Sequence, residues 1–379
     1  MTRSRKIGAT FNHTILTLWF LSLRRCIIRR TMGKSRVMIV GGGPAGCAAA
    51  YTLAKKSVDV TVFERGQPGK DKACGDALVS SAVKLLGLFG ISEDRIMALG
   101  GHGVNLVDMS LDNVLIRHAE YKNNVGWVIP RAVIDQEIRN ITAKYASFQY
   151  ETTVTDLVVE PTGSLGLSLE YKDGRSDQKG CDAVILATGA KNRLSNKLGI
   201  HGKPNKSFAV SVYAEIPRLD ALIFEFVDSC KPGYRWIFPV SGKMANVGVC
   251  ILGEKPEANL RLLGEELLKE HHALKRGRWR GGWGPLWSGL GRYWHHPSGV
   301  VSCGDAAGLI SPYGGEGMTA ALRSGEQAGE AISDYLLGNR DLHKLEEYSQ
   351  WVIKHFSHEY RLTPSIQTWN NLCGISLKP

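Results

Sequence analysis

Val37-Met38-Ile39-Val40-Gly41-Gly42-Gly43-Pro44-Ala45-Gly46 is the stretch on which the fold turns. The four apolar residues read as a strand covered on both faces, and they run directly into G-x-G-x-x-G. Behind the glycines, Cys47 to Lys56 reads as a helix of small residues. Val58 to Phe63 follows as a second strand, ending in Glu64, eighteen residues after Gly46. A glycine motif in isolation says little, but strand, loop, helix, strand and acid in register define a dinucleotide-binding βαβ unit. Gly41 permits the tight turn, and Gly43 lets the backbone approach a pyrophosphate. Gly46 lets helix and strand pack closely, the helix N-terminus offers free N–H groups to anionic oxygens, and Glu64 is placed to accept hydrogen bonds from a ribose diol.

NAD and FAD both satisfy such a unit, and the C-terminal third decides between them. Ser298 to Ser302 reads as a strand delivering Asp305 within Cys303-Gly304-Asp305-Ala306-Ala307-Gly308. Gly314-Gly315-Glu316-Gly317-Met318 then opens a helix through Leu337. A strand-borne acid followed by a second, unobstructed helix start suits a flavin. Asp305 would hold a ribityl hydroxyl or the pyrophosphate region, and the positive helix end near Gly317 and Met318 would face the pyrimidine edge. The cofactor expected is FAD.

The 379 residues are 43% apolar and 22% charged, an ordinary globular composition long enough for two packed domains. Net charge is +11, but residues 1–36 carry nine Lys or Arg and no acid, so the rest is close to neutral and nucleic-acid binding is not expected. The apolar stretch Ile15 to Leu23 is too short to span a bilayer, and Arg24-Arg25 directly after it disfavour secretory cleavage. Residues 1–31 read as dispensable or untranslated, because Met32 precedes the first strand closely; a transit or surface-anchoring segment is the alternative. The eight cysteines are scattered without metal-ligand spacing. No zinc site and no disulfide framework is expected, and a reducing cytoplasmic compartment is. Cys47, Cys181 and Cys303 read as small buried residues.

Four further segments make the chain resemble the geranylgeranyl reductase family, a branch of the flavoproteins related to para-hydroxybenzoate hydroxylase. Lys72-Ala73-Cys74-Gly75-Asp76-Ala77-Leu78 is similar to the family's K-x-C-G-g-a-l segment. Arg131-Ala132-Val133-Ile134-Asp135 is similar to its R-x-x-(F/L)-D, and Ala183 to Ala190 to its strand ending in A-D-G-A. Tyr234-Arg235-Trp236-Ile237-Phe238-Pro239 with Asn246-Val247-Gly248-Val249 is similar to its Y-x-W-x-F-P…N-V-G block. Thr188 and Cys250 depart from the family pattern, which bears on substrate rather than on fold. The resemblance implies an α/β chain with a Rossmann-like FAD-binding domain and an antiparallel-sheet substrate domain. FAD contacts carried over by position fall at Ala45, Glu64, Cys74, Gly75, Ala77, Arg131, Val154, Asp305, Gly317 and Met318.

It also implies saturation of isolated C=C bonds in a polyprenyl chain borne by a lipid or a diphosphate. Such an alkene has no carbonyl to take up charge, so hydride delivery requires a proton at the other carbon in step, with water kept out. Cys74 and Tyr234 are the acid candidates, and Tyr234 with Trp236 the substrate residues. Cys74 as a space-filling residue stays an alternative. Residues 234 and 236 share one strand face, which serves either the core or a cavity. No second strand-associated G-x-G-x-x-G exists, so the reductant, NADPH or reduced ferredoxin, docks transiently.

The domain reading places a basic extension at 1–36 and the FAD domain at 37–105, 131–200 and 297–340. The substrate sheet takes 106–130 and 201–296, and a helix with a tail takes 341–379. Within the sheet, strands are expected at Ser207–Glu215, Leu222–Val227, Tyr234–Pro239 and Ala245–Leu252. Arg276 to Trp294, rich in Trp and Gly, reads as a loop or short strand lining an apolar tunnel, touching a membrane surface peripherally, or simply packed. Rival readings are a flavin monooxygenase or halogenase on the same fold, and a catalytically silent flavoprotein.

Overall fold

The computed structural model describes residues 35–161, 163–191, 193–200, 204–217, 220–253, 259–291 and 293–361. Residues 1–34 of the basic extension and the tail beyond Arg361 lie outside them. The chain divides into Met1–Ser35 and a compact unit, Arg36–Pro379. Strand β1 (Arg36–Val40), helix α1 (Pro44–Lys55) and strand β2 (Asp59–Phe63) form the βαβ unit expected. β1 is the centre of a six-stranded sheet, parallel to β2 on one side and to Ala183–Leu186 on the other. Ser147–Gln149 extends it beyond β2; Val300–Ser302 and the short antiparallel His295–His296 complete the opposite edge. Val37 to Val40 are all buried, as a strand with helices or sheet on both faces must be.

The second large sheet has eight strands. In order they are Lys275–Arg276, Asn205–Glu215, Met244–Leu252, Gly233–Ser241, Leu222–Phe226, Leu106–Leu111 and Val114–Glu120, with Arg280–Leu286 also pairing with Asn205–Glu215. The four expected strands are all present. The sheet is not wholly antiparallel, however, because Leu106–Leu111 and Leu222–Phe226 pair in parallel. Their connection runs through the nucleotide-binding sheet, and a long crossover of that kind permits parallel pairing. A small sheet of Ala77–Val79, Gly126–Val128 and His102–Val104 lies alongside.

Within Arg276 to Trp294 the short strand and the packed reading both appear. The centre of the stretch is the strand Arg280–Leu286, and its aromatics diverge. Trp287 and the 1% exposed Trp294 stack in the core against Phe356 of the final helix, His343–Glu359. Trp279 lies over Gly264, whereas Trp283 and Tyr293 are exposed. The final helix is structural: Leu345, Tyr348, Val352 and Phe356 fill the same core, and the Tyr348 hydroxyl donates to the Ser302 carbonyl. No helix among the described residues is long and apolar enough to cross a membrane.

Candidate cofactor and substrate site

Two helix starts converge beside β1. Gly41 sits at φ +108, and a Cβ there would meet the Ala187 carbonyl oxygen at 2.2 Å; a Cβ on Gly46 would stand 1.9 Å from the Gly41 oxygen. These two glycines let α1 start close against the sheet. At Gly43 a Cβ would meet nothing within 4 Å, so open space lies before the start of α1, which no side chain caps. The helix Met318–Leu337 reaches the same place by crossing α1 closely: Gly325 abuts the Ala45 backbone and Gly329 the Ala49 oxygen. Gly304 is also brought against Ala45, so Asp305 and Gly317 are neighbours, with a Cβ on Gly317 3.5 Å from Asp305 Oδ1. Met318 buries its side chain, so it offers a ligand only its backbone.

Glu64 follows β2 directly, beside the glycine loop. Its Oε2 accepts from Gly42 N (2.9 Å) and its Oε1 from Gly66 N (2.7 Å), which fixes the carboxylate beside the glycine loop. Arg139, unforeseen in the sequence, donates from Nε to the Gly42 carbonyl (2.8 Å) and holds the loop from behind. Val154 lies on the strand Thr152–Val159, which begins where Thr152 N donates to Glu64 O; its side chain packs into the core behind. The Thr188 hydroxyl is buried without a partner, next to Gly41. Open space at Gly43, two helix starts, an acid at each end and an unpartnered hydroxyl together fit a dinucleotide and a second ring system.

The segment from Asp71 to Ala77 crosses between the two sheets. Lys72 Nζ pairs with Asp305 Oδ2 (2.9 Å), and this carboxylate holds the ammonium above its ordinary value. Asp71 pairs with Arg280, whose guanidinium lies 4.5 Å over the Tyr213 ring. Cys74 is half-buried with Sγ 3.8 Å from Arg131 Nη1. Arg131 is buried and bidentate to Asp135 (2.8 and 2.9 Å); burial pulls its pKa down, but Asp135 and Cys74 together raise it. Gly75 presses on the aromatic strand, since a Cβ there would lie 3.1 Å from Phe238 and 3.3 Å from Trp236 Nε1. Ala77 begins the small sheet and packs toward the same aromatics.

Tyr234, Trp236 and Phe238 point from one face of their strand, with successive ring centroids 6.1 Å apart. Phe224 and Phe226 join them, and all but the half-buried Phe224 are buried. The Tyr234 hydroxyl donates to the Gly314 carbonyl (2.8 Å), in the loop that opens the second helix. Trp236 Nε1 donates to Asn246 Oδ1 (3.0 Å). The apolar face and Cys74-Gly75 therefore adjoin. Among the described residues no group of His, Cys, Asp or Glu could hold a metal ion.

This fold and site define an FAD-binding oxidoreductase. The family model for pyridine nucleotide-disulphide oxidoreductase matches residues 35–222 of this chain. A menaquinone reductase of Mycolicibacterium smegmatis is 29% identical over 79% of this chain and 76% of its own length. A digeranylgeranylglycerophospholipid reductase of Methanococcoides burtonii is 28% identical over 82% and 78%. Among solved structures, a geranylgeranyl bacteriochlorophyll reductase-like protein of Thermoplasma acidophilum superposes with TM-score 0.75 at 20% identity, covering 90% of this chain and 92% of that one. The flavin-dependent halogenase CmlS has the same fold, with TM-score 0.68 at 21% identity over 87% and 63%. The chain is an FAD-dependent oxidoreductase with geranylgeranyl reductase-like relatives.

Proposed function

We propose that the enzyme reduces isolated C=C bonds of a polyprenyl chain carried on a lipid or a diphosphate. The observation that carries this reading is the buried aromatic face of Tyr234, Trp236 and Phe238 lying directly against Cys74-Gly75. The digeranylgeranylglycerophospholipid reductase among the relatives is named for a prenyl lipid, which agrees with an apolar face of this kind. FAD contacts are assigned to Gly41, Gly43, Ala45, Gly46 and Glu64 at the adenine dinucleotide end. Cys74, Gly75, Ala77, Arg131, Asp305, Gly317 and Met318 take the flavin end, and Val154 contributes backbone. Reduced FAD supplies the hydride when bound.

The chain's own residues then bind, dry and protonate. The aromatic face holds the prenyl chain and excludes water, which favours a proton transfer synchronous with hydride arrival. Cys74 and Tyr234 are the proton donors assigned, and Tyr234 must leave the Gly314 carbonyl to act. The reductant, NADPH or reduced ferredoxin, docks from outside. The test is anaerobic: the holoenzyme is reduced with dithionite, offered geranylgeranyl diphosphate, a digeranylgeranyl glycerophospholipid or menaquinone, and followed by flavin absorbance and lipid mass. Flavin reoxidation with two hydrogens gained per bond supports the reading. A flavin that stays reduced until oxygen enters overturns it and favours a monooxygenase or a silent flavoprotein. Reoxidation without mass gain on the prenyl chain would assign a quinone ring as the acceptor.

A further inference from the structure

Asp76 is fully buried and sits at φ +65, where a glycine would satisfy the backbone without burying a charge. Its side chain accounts for the choice. Oδ1 accepts from the Arg131 backbone N–H (3.1 Å), and Oδ2 from the Tyr213 hydroxyl (2.6 Å) and Asn246 Nδ2 (2.7 Å). Those donors sit on three separate elements: the helix Arg131–Thr142 and the strands Asn205–Glu215 and Met244–Leu252. The Asp76 carbonyl in turn accepts from Ile129 N (3.0 Å). Asn246 extends the clip, since Nδ2 also reaches the Cys74 carbonyl (2.7 Å) and Oδ1 receives the Trp236 indole N–H. A buried carboxylate is retained only where donors of this number compensate its lost hydration.

We propose that Asp76, through Asn246, is a positioning residue: it fixes the Cys74-Gly75 backbone and the Trp236 ring in one register, so that thiol and aromatic face meet the same ligand. Neither residue need touch substrate. The inference deepens the prenyl-reduction reading and rests on it for the reaction concerned, whereas the positioning itself has a readout without any prenyl substrate.

The test compares FAD-loaded wild type with Asp76→Gly, which keeps the left-handed backbone accessible, and Tyr213→Phe, which removes one donor of three. Alkylation of Cys74 by iodoacetamide, quantified by peptide mapping, should accelerate about tenfold in Asp76→Gly and about threefold in Tyr213→Phe as the loop loosens. Single-turnover flavin reoxidation should slow by about tenfold in Asp76→Gly while the lipid concentration for half-saturation changes less than about twofold. Should Asp76→Gly fail to fold, Tyr213→Phe decides on the same two readouts. Cys74 alkylation within about twofold of wild type in a folded variant overturns the proposal. Faster alkylation of Cys74 in an enzyme that no prenyl lipid reoxidises supports the positioning and sinks the prenyl reading.

Discussion

Gly325→Ala probes whether the two helix starts must converge. A Cβ at Gly325 would stand 2.2 Å from the Ala45 carbonyl oxygen, 2.9 Å from its carbon and 3.0 Å from its Cα. All three are backbone atoms at the start of α1, so no side chain can rotate aside. The helix Met318–Leu337 must move by about 1 Å to restore van der Waals contact, and overpacking of this type costs about 1–3 kcal/mol. Alanine returns up to about 1 kcal/mol of helix propensity. The net loss of up to about 3 kcal/mol should lower the unfolding temperature by a few degrees. The larger effect falls on FAD, because Gly317 and Ala45 would separate with the helices. A displacement that forfeits one or two contacts worth about 1.4 kcal/mol each raises the FAD dissociation constant about tenfold to a hundredfold. Flavin fluorescence on release measures it, alongside calorimetry. Gly87→Ala is the control, since that glycine is right-handed at φ −56 with nothing within 4 Å of its Cβ position. A Gly325→Ala enzyme that holds FAD and melts like Gly87→Ala would refute the account of the site as two helix ends pressed together.

Arg235, 3% exposed at its side chain, is paired with Glu225 (2.6 Å) and Glu270 (2.7 Å); Glu225→Gln leaves Glu270 in place and should destabilise the substrate-side sheet by about 1–3 kcal/mol in urea titration. Burial would raise the Glu225 carboxyl, but the His271 hydrogen bond and the Arg235 charge outweigh it and hold the pKa below the usual range. Its stabilising contribution is therefore complete above about pH 4.3 and lost as pH falls through the folded value; Glu225→Gln should flatten that acid limb. Burial pushes the Cys47, Cys181, Cys250 and Cys303 thiols up to about 12 and Cys230 up to about 11, so among the described cysteines native alkylation should mark Cys74 alone by peptide mapping. Tyr234→Phe should retain FAD but slow single-turnover reoxidation by about 100-fold if the hydroxyl is the acid, and by less than about threefold if it only anchors Gly314.

What was legible in the sequence is local. The glycine loop, Glu64, Asp305 and Gly317 are each read from neighbours in the chain, because strand, turn and helix signals are short-range. The strands from Asn205 to Leu252 were legible for the same reason, since alternation and turn residues mark them one at a time. The parallel pairing of Leu106–Leu111 was not, because it depends on where a long crossover returns. The Trp-rich stretch left alternatives open for a different reason: its glycines exclude a helix, but which side of the strand each indole takes depends on sheet pairing, and Trp287 and Trp294 pack in the core beneath the final helix. Asp76, Tyr213 and Asn246 went unrecognised as a unit because they are far apart in the chain and meet only through the register that sets Tyr213 opposite Asn246.

That register also explains how one chain divides its chemistry. The groups we assign to the dinucleotide are largely backbone and glycine around β1, an arrangement that serves any enzyme using this cofactor. The residues we propose to discriminate among substrates are side chains of the Gly233–Ser241 strand, beyond the region the family model matches. The segment from Asp71 to Ala77 touches both: Lys72 reaches Asp305 on the cofactor side, while Gly75 and Asp76 are held to Trp236, Phe238 and Asn246 on the other. A change in that segment would alter the alignment of cofactor and substrate together. Changes along Tyr234, Trp236 and Phe238 would alter the substrate while leaving the FAD end intact.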